Sequence, residues 1–74
     1  MSLIETVGEN HRVARRHRRL TQEAIADRIG QTPGYISAIE RARRSVTLQT
    51  LELLGGALLL SPVTFFRSRT RTFL

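Results

Sequence analysis

Apolar residues recur three and four positions apart along most of this chain, which is the spacing that places side chains on one face of an α-helix. The spacing predicts a first helix from about Leu3 to Arg18 and three more helices before residue 60. The positions expected to face inward are Ile4, Val7, His11 and Ala14 in the first helix, Ile25, Ala26 and Ile29 in the second, Ile36 and Ile39 in the third, and Leu48, Leu51, Leu54 and Leu58 in the fourth. A last short helix is expected to carry Val63, Phe65 and Phe66.

Residues that begin and end helices stand at the borders of these segments. The predicted N-caps, whose hydroxyl groups can accept from a free backbone N–H, are Thr21, Thr32, Thr47 and Ser61. Pro33 and Pro62 follow two of these caps, in the first helical position, where the missing N–H of proline costs nothing. Gly30 supplies the left-handed residue that ends the second helix. The pattern predicts an all-α fold of five helices in one domain, residues 1–67, followed by a C-terminal tail, residues 68–74.

Size and composition exclude several classes of protein. The chain has 74 residues and no cysteine, so we expect neither a disulfide framework nor a thiolate metal site. The longest purely apolar run, Ala57 to Leu60, is far too short to span a membrane. The first ten residues do not resemble a signal peptide, which predicts a cytoplasmic location. A domain this small buries only about 60% of the surface of its unfolded chain, so it often gains stability by association.

The charge of the chain is strongly positive. The formal net charge is +6, and all twelve cationic side chains are arginine. Five arginines lie in the first helix and its exit, three lie between residues 41 and 44, and three alternate with other residues at Arg67, Arg69 and Arg71. Arginine presents a planar set of donors that matches phosphate and the edge of guanine. The excess indicates a polyanionic partner, and the alternative is a solvated basic surface.

Residues 21–48 hold the strongest functional signal. Two short helices joined by a glycine turn form a helix-turn-helix unit, and arginines stand at the exit of the second helix. Because Ile36 and Ile39 face inward, the residues expected to face outward are Pro33, Gly34, Ser37, Ala38 and Arg41. A short helix held by another and flanked by cations fits the major groove of duplex DNA.

The order of motifs resembles a known family. The segments that carry the resemblance are Leu20-Thr21-Gln22, Ile25-Ala26, Ile29-Gly30, Tyr35-Ile36-Ser37, Ile39-Glu40-Arg41 and Thr47-Leu48-Gln49-Thr50-Leu51. Residues 7–66 are similar to the helix-turn-helix domain of phage Cro and repressor proteins, the xenobiotic-response-element class. Residues 35–41, 51–53 and 61–66 are also similar to the small controller proteins of restriction–modification systems. The resemblance implies a compact, lambda-repressor-like domain that binds double-stranded operator DNA as a homodimer and regulates transcription.

The resemblance also implies roles for individual residues. The residues expected to bind DNA are Thr21, Gln22, Thr32, Pro33, Gly34, Tyr35, Ser37, Ala38, Arg41, Arg43 and Arg44. Among them, Gln22 is expected to donate to a phosphate, and Arg41 and Arg44 to reach a phosphate or a base edge. Arg15 and Glu40 match a pair that forms a buried ion pair between the first and third helices in several members.

Three positions depart from the residues that read base edges in many relatives. Pro33, Gly34 and Ala38 have no side chain that can donate or accept a hydrogen bond. The sequence allows three explanations of how the domain would recognise a DNA sequence. In the first, Pro33 and Ala38 contact thymine methyl groups. In the second, Gly34 lets the helix sit deeper in the groove, so that arginines and DNA deformability supply the sequence preference, and in the third the domain binds DNA with little sequence preference.

Other departures concern helix ends and association. Ala42 and Leu59 stand where the family usually has glycine, so we expect a more helical exit at Ala42. Gly55 and Gly56 lie inside the fourth helix, which indicates either a close approach across a subunit interface or a slight kink. The residues expected at the dimer interface are Leu53, Leu59, Phe65 and Phe66.

The remaining residues give little support for chemistry other than binding. His11 lies on the inward face with only His17 near it in sequence, so we expect a buried histidine and no metal site. No nucleophile and base are grouped, so we expect no catalysis, no cofactor and no small-molecule substrate. The arginines of the tail, residues 68–74, either follow a DNA backbone or belong to a disordered terminus. The alternatives to a DNA-binding regulator are an antitoxin-type protein-interaction module and a basic domain that binds RNA or anionic lipid.

Overall fold

The computed structural model describes residues 2–67 and shows an all-helical domain. Its elements are α1 (Leu3–His17), α2 (Gln22–Ile29), α3 (Pro33–Glu40), α4 (Leu48–Leu58) and a 3₁₀ helix (Pro62–Phe66). No strand occurs among these residues. The all-α class and the five helical elements are therefore confirmed, with the difference that the last element is 3₁₀. The predicted tail, residues 68–74, lies outside the described residues.

Side-chain caps fix where the helices begin. The hydroxyl groups of Thr21, Thr32 and Thr47 accept from the backbone N–H three residues later at 3.0, 3.2 and 3.0 Å. Each of these bonds satisfies one of the free donors at a helix start. A further cap was not predicted. Ser2 and Glu5 form a reciprocal capping box, in which each side chain accepts from the backbone N–H of the other.

One apolar core lies between the helices. Its fully buried members are Val7, Ile25, Ala26, Ile36, Ile39, Leu51, Leu54, Leu58 and Phe65. In this core α1 packs against α3 and the 3₁₀ helix, and α2 packs against α3 and α4. The helical spacing predicted most of these positions. Leu48 was also expected to face inward, but it lies at the first position of α4 and is 76% exposed.

Two glycines permit close approaches that no side chain would allow. A Cβ atom on Gly8 would lie 2.4 Å from the carbonyl oxygen of Ile39, so α1 and α3 touch at this point. A Cβ atom on Gly55 would lie 2.7 Å from the carbonyl oxygen of Leu60. The close approach at Gly55 is therefore made within the chain, between α4 and the segment that follows it. This contact accounts for Gly55 without a subunit interface, and an approach across an interface at Gly56 stays a prediction.

Two further expectations are corrected by the structure. Phe65 is 0% exposed and packs against His11 at 5.7 Å between ring centroids, so it belongs to the core and not to a dimer interface. The exit of α3 is not more helical, because Ala42 has φ 58°. Leu59 has the same left-handed conformation at the end of α4. Both residues adopt it because the chain must turn sharply there, and the backbone bonds of the turn offset a strain of roughly 1–2 kcal/mol.

Candidate nucleic-acid interface

The turn between α2 and α3 holds the two helices at a fixed angle. Gly30 ends α2 in the left-handed conformation with φ 71°, and the N–H of Gln31 donates to the carbonyl of Ala26 at 2.9 Å. Thr32 then caps α3, which begins at Pro33. Ile36 and Ile39 anchor α3 in the core.

The outward side of α3 is bare. Thr32, Pro33 and Gly34 are exposed, and Tyr35, Ser37 and Ala38 are half-buried. Only one atom, Thr32 Oγ1 at 3.9 Å, would lie within 4 Å of a Cβ atom added to Gly34. No distant segment of the described chain therefore lies against Gly34, and a duplex could approach the backbone there.

A backbone turn directs the arginines that follow α3. The N–H of Ala42 donates to the carbonyl of Ile39 at 3.0 Å, and the N–H of Arg43 donates to the carbonyl of Ala38 at 2.8 Å. This pair of bonds is the Schellman motif, with alanine in the place usually taken by glycine. The guanidinium of Arg44 lies 4.8 Å from the centre of the Tyr35 ring. This cation–π contact holds Arg44 beside α3.

The arginines at this end of α3 are free to contact an anion. Arg41, Arg43 and Arg44 are exposed. Within residues 2–67 the ion pairs join Glu40 to His11 and Arg15, and Glu9 to Arg12. None of the three arginines therefore has a carboxylate partner in the part of the chain that the structure describes.

Behind α3, one buried carboxylate gathers several donors. Glu40 Oε2 accepts from His11 Nδ1 and Arg15 Nε, both at 2.8 Å. Glu40 Oε1 accepts from Arg15 Nη2 at 3.0 Å and Gln22 Nε2 at 3.1 Å. Arg15 also donates to the carbonyl of Leu20 at 2.8 Å. The cluster ties α1 to α2 and α3, and it includes the pair of Arg15 and Glu40 that the family resemblance implied.

The cluster controls the ionisation of Glu40. Burial of the carboxyl group raises the pKa of Glu40, but the hydrogen bonds from His11, Arg15 and Gln22 outweigh burial and lower the pKa to about 2. Glu40 is therefore a carboxylate at neutral pH, and its charge is compensated inside the domain.

Two residues of the cluster differ from the sequence-based expectation. Gln22 was expected to donate to a phosphate, whereas in the structure its amide donates to Glu40. His11 was expected to be buried, but its bond to Glu40 was not foreseen. The only local signal was a polar residue on an apolar stripe, and its partner lies 29 positions away.

Several large apolar side chains are exposed. Leu53 and Leu59, predicted for the dimer interface, are 50% and 79% exposed. A separate group, which we call the Leu48 surface, consists of Leu3, Leu48, Val63 and Phe66, and only Phe66 of these was predicted. Leu3, Leu48 and Phe66 border an open apolar cavity of about 300 Å³. Val63 shares a face with Phe66, because residues three apart eclipse each other in a 3₁₀ helix.

Residues 2–67 contain neither a membrane-spanning helix nor a cluster of metal-ligating side chains. No helix there is long and apolar enough to cross a membrane. No group of three or more His, Asp or Glu side chains in that range could hold a metal ion.

The sequence of this chain is similar to a family model and to several known proteins. The family model described as helix-turn-helix matches residues 12–65. The control protein C.SmaI of Serratia marcescens is 41% identical over 58 residues, covering 78% of this chain and 69% of that protein. The immunity repressor protein of Bacillus phage phi105 is 40% identical over 53 residues, or 72% of this chain. The chain spans only 37% of the length of that phage repressor.

Two solved structures share the fold. The restriction-modification controller protein C.AhdI from Aeromonas hydrophila has a TM-score of 0.81 at 30% identity, covering 85% of this chain and 91% of its own. The controller protein C.Esp1396I, solved as a tetramer in complex with its natural 35-base-pair operator, has a TM-score of 0.79 at 35% identity, covering 89% and 87%.

Proposed function

The chain belongs to the Cro/C1-type helix-turn-helix family, and from that premise we propose that it binds operator DNA as a homodimer and regulates transcription. The observation that carries the proposal is the bare outward side of α3, with three exposed arginines at its exit that have no carboxylate partner among residues 2–67. Proteins similar to this chain in sequence include a phage immunity repressor and the controller C.SmaI, and the controller C.AhdI is similar in both sequence and fold.

In this proposal the arginines supply most of the affinity. Arg43 contacts a phosphate, Arg41 and Arg44 reach a phosphate or a base edge, and the contact with Tyr35 orients Arg44 before DNA arrives. Fixing a flexible side chain in advance reduces the entropy lost on binding. Thr32, Ser37 and the backbone N–H of Gly34 position the helix on the DNA backbone.

Sequence preference then has to arise without hydrogen bonds from Pro33, Gly34 or Ala38. We favour a close approach of α3 at Gly34, where the described chain leaves open space. A deeper position brings Arg44 to base edges and makes DNA deformability part of the readout. Contacts of Pro33 and Ala38 with thymine methyl groups are the second account, and binding with little preference is the third.

A salt titration tests the proposal directly. Operator DNA is first selected from a random duplex pool, and binding is then measured on selected and random duplexes between about 50 and 200 mM salt, where each phosphate contact adds about −0.9 to the slope of log affinity against log salt. Arg43→Ala should weaken binding to both duplexes and reduce the slope by about 0.9 per subunit. Equal affinities and slopes on both duplexes would leave only non-specific binding, and absence of duplex binding would refute the function.

For the homodimer we propose that the Leu48 surface is the contact between subunits. Large exposed side chains around an apolar cavity suit the self-complementary contact of a two-fold dimer. The interface of Leu53 and Leu59 expected from the sequence is the competing proposal. Leu48 and Leu53 lie about 140° apart around α4, at about 100° per residue, so one flat interface cannot centre on both.

Sedimentation velocity separates the two interfaces. Leu48→Glu should produce monomers, whereas the matched change Leu53→Glu should leave the dimer intact. Both side chains are at least half exposed, so neither change should unfold the subunit. The opposite pattern would assign the interface to the face of α4 that carries Leu53. A dimer would place two α3 helices about 34 Å apart, one turn of DNA.

The biological setting follows from the relatives. We propose a controller of a restriction–modification system or a phage-type repressor, acting in the cytoplasm, where its DNA is, and without catalytic activity. With no effector site assigned, the concentration of the protein would set the occupancy of the operator. The domain division into residues 1–67 and a basic tail at 68–74 is part of the proposal, and removing residues 68–74 should flatten the salt slope if the tail contacts DNA.

A further inference from the structure

His11 is buried where an apolar side chain would serve the core better. It is 0% exposed, its Nδ1 atom lies 2.8 Å from Glu40 Oε2, and its ring packs against Phe65. Its Nε2 atom is buried and has no hydrogen-bond partner in the described part of the chain. Burying a polar ring with one unsatisfied nitrogen carries a desolvation cost. Packing alone does not explain this residue, and its one polar contact is with Glu40.

Every acceptor position of Glu40 is in use. An ionised carboxylate offers about four acceptor sites, and the structure fills them with one bond from His11, two from Arg15 and one from Gln22. The bond from Gln22 is the longest of the four, at 3.1 Å. Gln22 is also the one donor of the three that is only half-buried, and it lies at the amino end of α2 beside the proposed DNA surface.

We propose that His11 is a positioning residue for DNA binding, which keeps Glu40 compensated when the Gln22 amide turns from Glu40 to a DNA phosphate. The proposal rests on the proposed function. When Gln22 leaves, Glu40 still accepts from His11 Nδ1 and from both Arg15 nitrogens. Without the His11 donor, Oε2 keeps a single bond and the buried carboxylate holds the Gln22 amide more strongly. His11 thus lowers the cost of the exchange that frees Gln22.

A double-mutant cycle measures this coupling. DNA affinity is measured for the wild type, His11→Leu, Gln22→Ala and the double variant, at a temperature where circular dichroism shows all four folded. We expect Gln22→Ala to weaken binding about tenfold in the wild type, as for a hydrogen bond to a charged group. In the His11→Leu background the same change should weaken binding less than about twofold, because Gln22 is already held back.

Three controls make the result specific. His11→Asn keeps an amide nitrogen at the position of Nδ1 and should restore the sensitivity to Gln22→Ala. His11→Phe keeps the ring against Phe65 without the donor, and it replaces His11→Leu if that variant does not fold. Arg43 makes no contact with the Glu40 cluster, so Arg43→Ala should have the same effect with and without His11→Leu.

The measurements distinguish a positioning role of His11 from a purely structural one. An unchanged salt slope in His11→Leu with loss of the Gln22 effect supports the proposal, because no cation has been removed. Equal Gln22→Ala effects in both backgrounds overturn it. A reduced salt slope in His11→Leu also overturns it, because α3 and its arginines would then have moved and the role of His11 would be structural only. Failure of the wild type to bind duplex DNA would refute the proposed function itself.

Discussion

Replacing Gly34 by alanine separates the stability of the domain from its DNA binding. Gly34 lies in the first turn of α3 and has no positive φ, and an added Cβ would meet only Thr32 Oγ1 at 3.9 Å. The folded chain therefore does not need glycine at this position. Glycine inside a helix costs about 1 kcal/mol relative to alanine, so Gly34→Ala should raise the free energy of unfolding by up to that amount.

Gly56 provides the matched control. It also lies in a helix without positive φ, and an added Cβ would meet nothing within 4 Å. Gly56→Ala should stabilise the domain in the same way. In a domain of this size 1 kcal/mol corresponds to a rise in melting temperature of about 4–8 °C, which a thermal melt measures for both variants.

The two variants should differ in DNA binding. A Cβ stands about 1.5 Å from its Cα, so alanine at position 34 would push α3 away from the groove. Hydrogen bonds of about 2.9 Å would lengthen past their working range. Loss of one good base contact costs about 1–3 kcal/mol, or roughly 5- to 150-fold in affinity. Gly56→Ala should bind as the wild type does.

Fluorescence anisotropy on selected operator DNA at fixed salt would measure both affinities. If Gly34→Ala is stabilised and binds with wild-type affinity, the close approach of α3 is refuted, and contacts of Pro33 and Ala38 with thymine methyl groups become the better account. An equal loss of DNA affinity in both variants would show that the loss in Gly34→Ala does not come from a Cβ atom on the surface of α3.

Three further predictions concern the interior. Glu40→Ala should lower the free energy of unfolding by about 3–5 kcal/mol, because it leaves Arg15 buried without its partner; urea unfolding that matches the wild type, together with altered sequence preference, would contradict this. Because the pKa of Glu40 falls from 4.5 to about 2 on folding, its stabilisation is complete above about pH 4.5 and is lost as pH falls towards 2; Glu40→Gln should show a shallower decline of stability in acid titrations, and an identical decline would argue against the lowered pKa. Gly8→Ala should destabilise the domain by about 1–3 kcal/mol, since the carbonyl of Ile39 would lie 2.4 Å from the new Cβ; a melting temperature equal to or above that of the wild type would show that α1 and α3 separate at little cost.

Local rules were sufficient to predict the helices and most of the core. The starts of α2, α3 and α4 follow from threonine caps, and the turn at Gly30 follows from the freedom of glycine to adopt positive φ. The inward side of α3 follows from two isoleucines three positions apart. These features depend on residues within about one helical turn of one another, so spacing alone reveals them.

The binding surface was predicted in outline but not in its contacts. The arginines after α3 and the absence of hydrogen-bonding side chains at Pro33, Gly34 and Ala38 are visible in the sequence. The contact of Arg44 with Tyr35 and the bond of Gln22 to Glu40 are not. Each of these two contacts depends on the path of the backbone between helices, which the spacing of apolar residues does not specify.

By itself, the sequence of this protein determined its class, the order of its helices and the basic character of one end of α3. Only the tertiary structure decided that Phe65 lies in the core, that Ala42 turns left-handed, and that His11 donates to a carboxylate 29 residues away. The physical reason is that helix formation is governed by neighbours along the chain. Burial of a side chain and its pairing with a distant partner depend instead on which helices pack against each other. In this protein, the close approach at Gly8 and the hydrogen bonds to Glu40 determine how the helices pack.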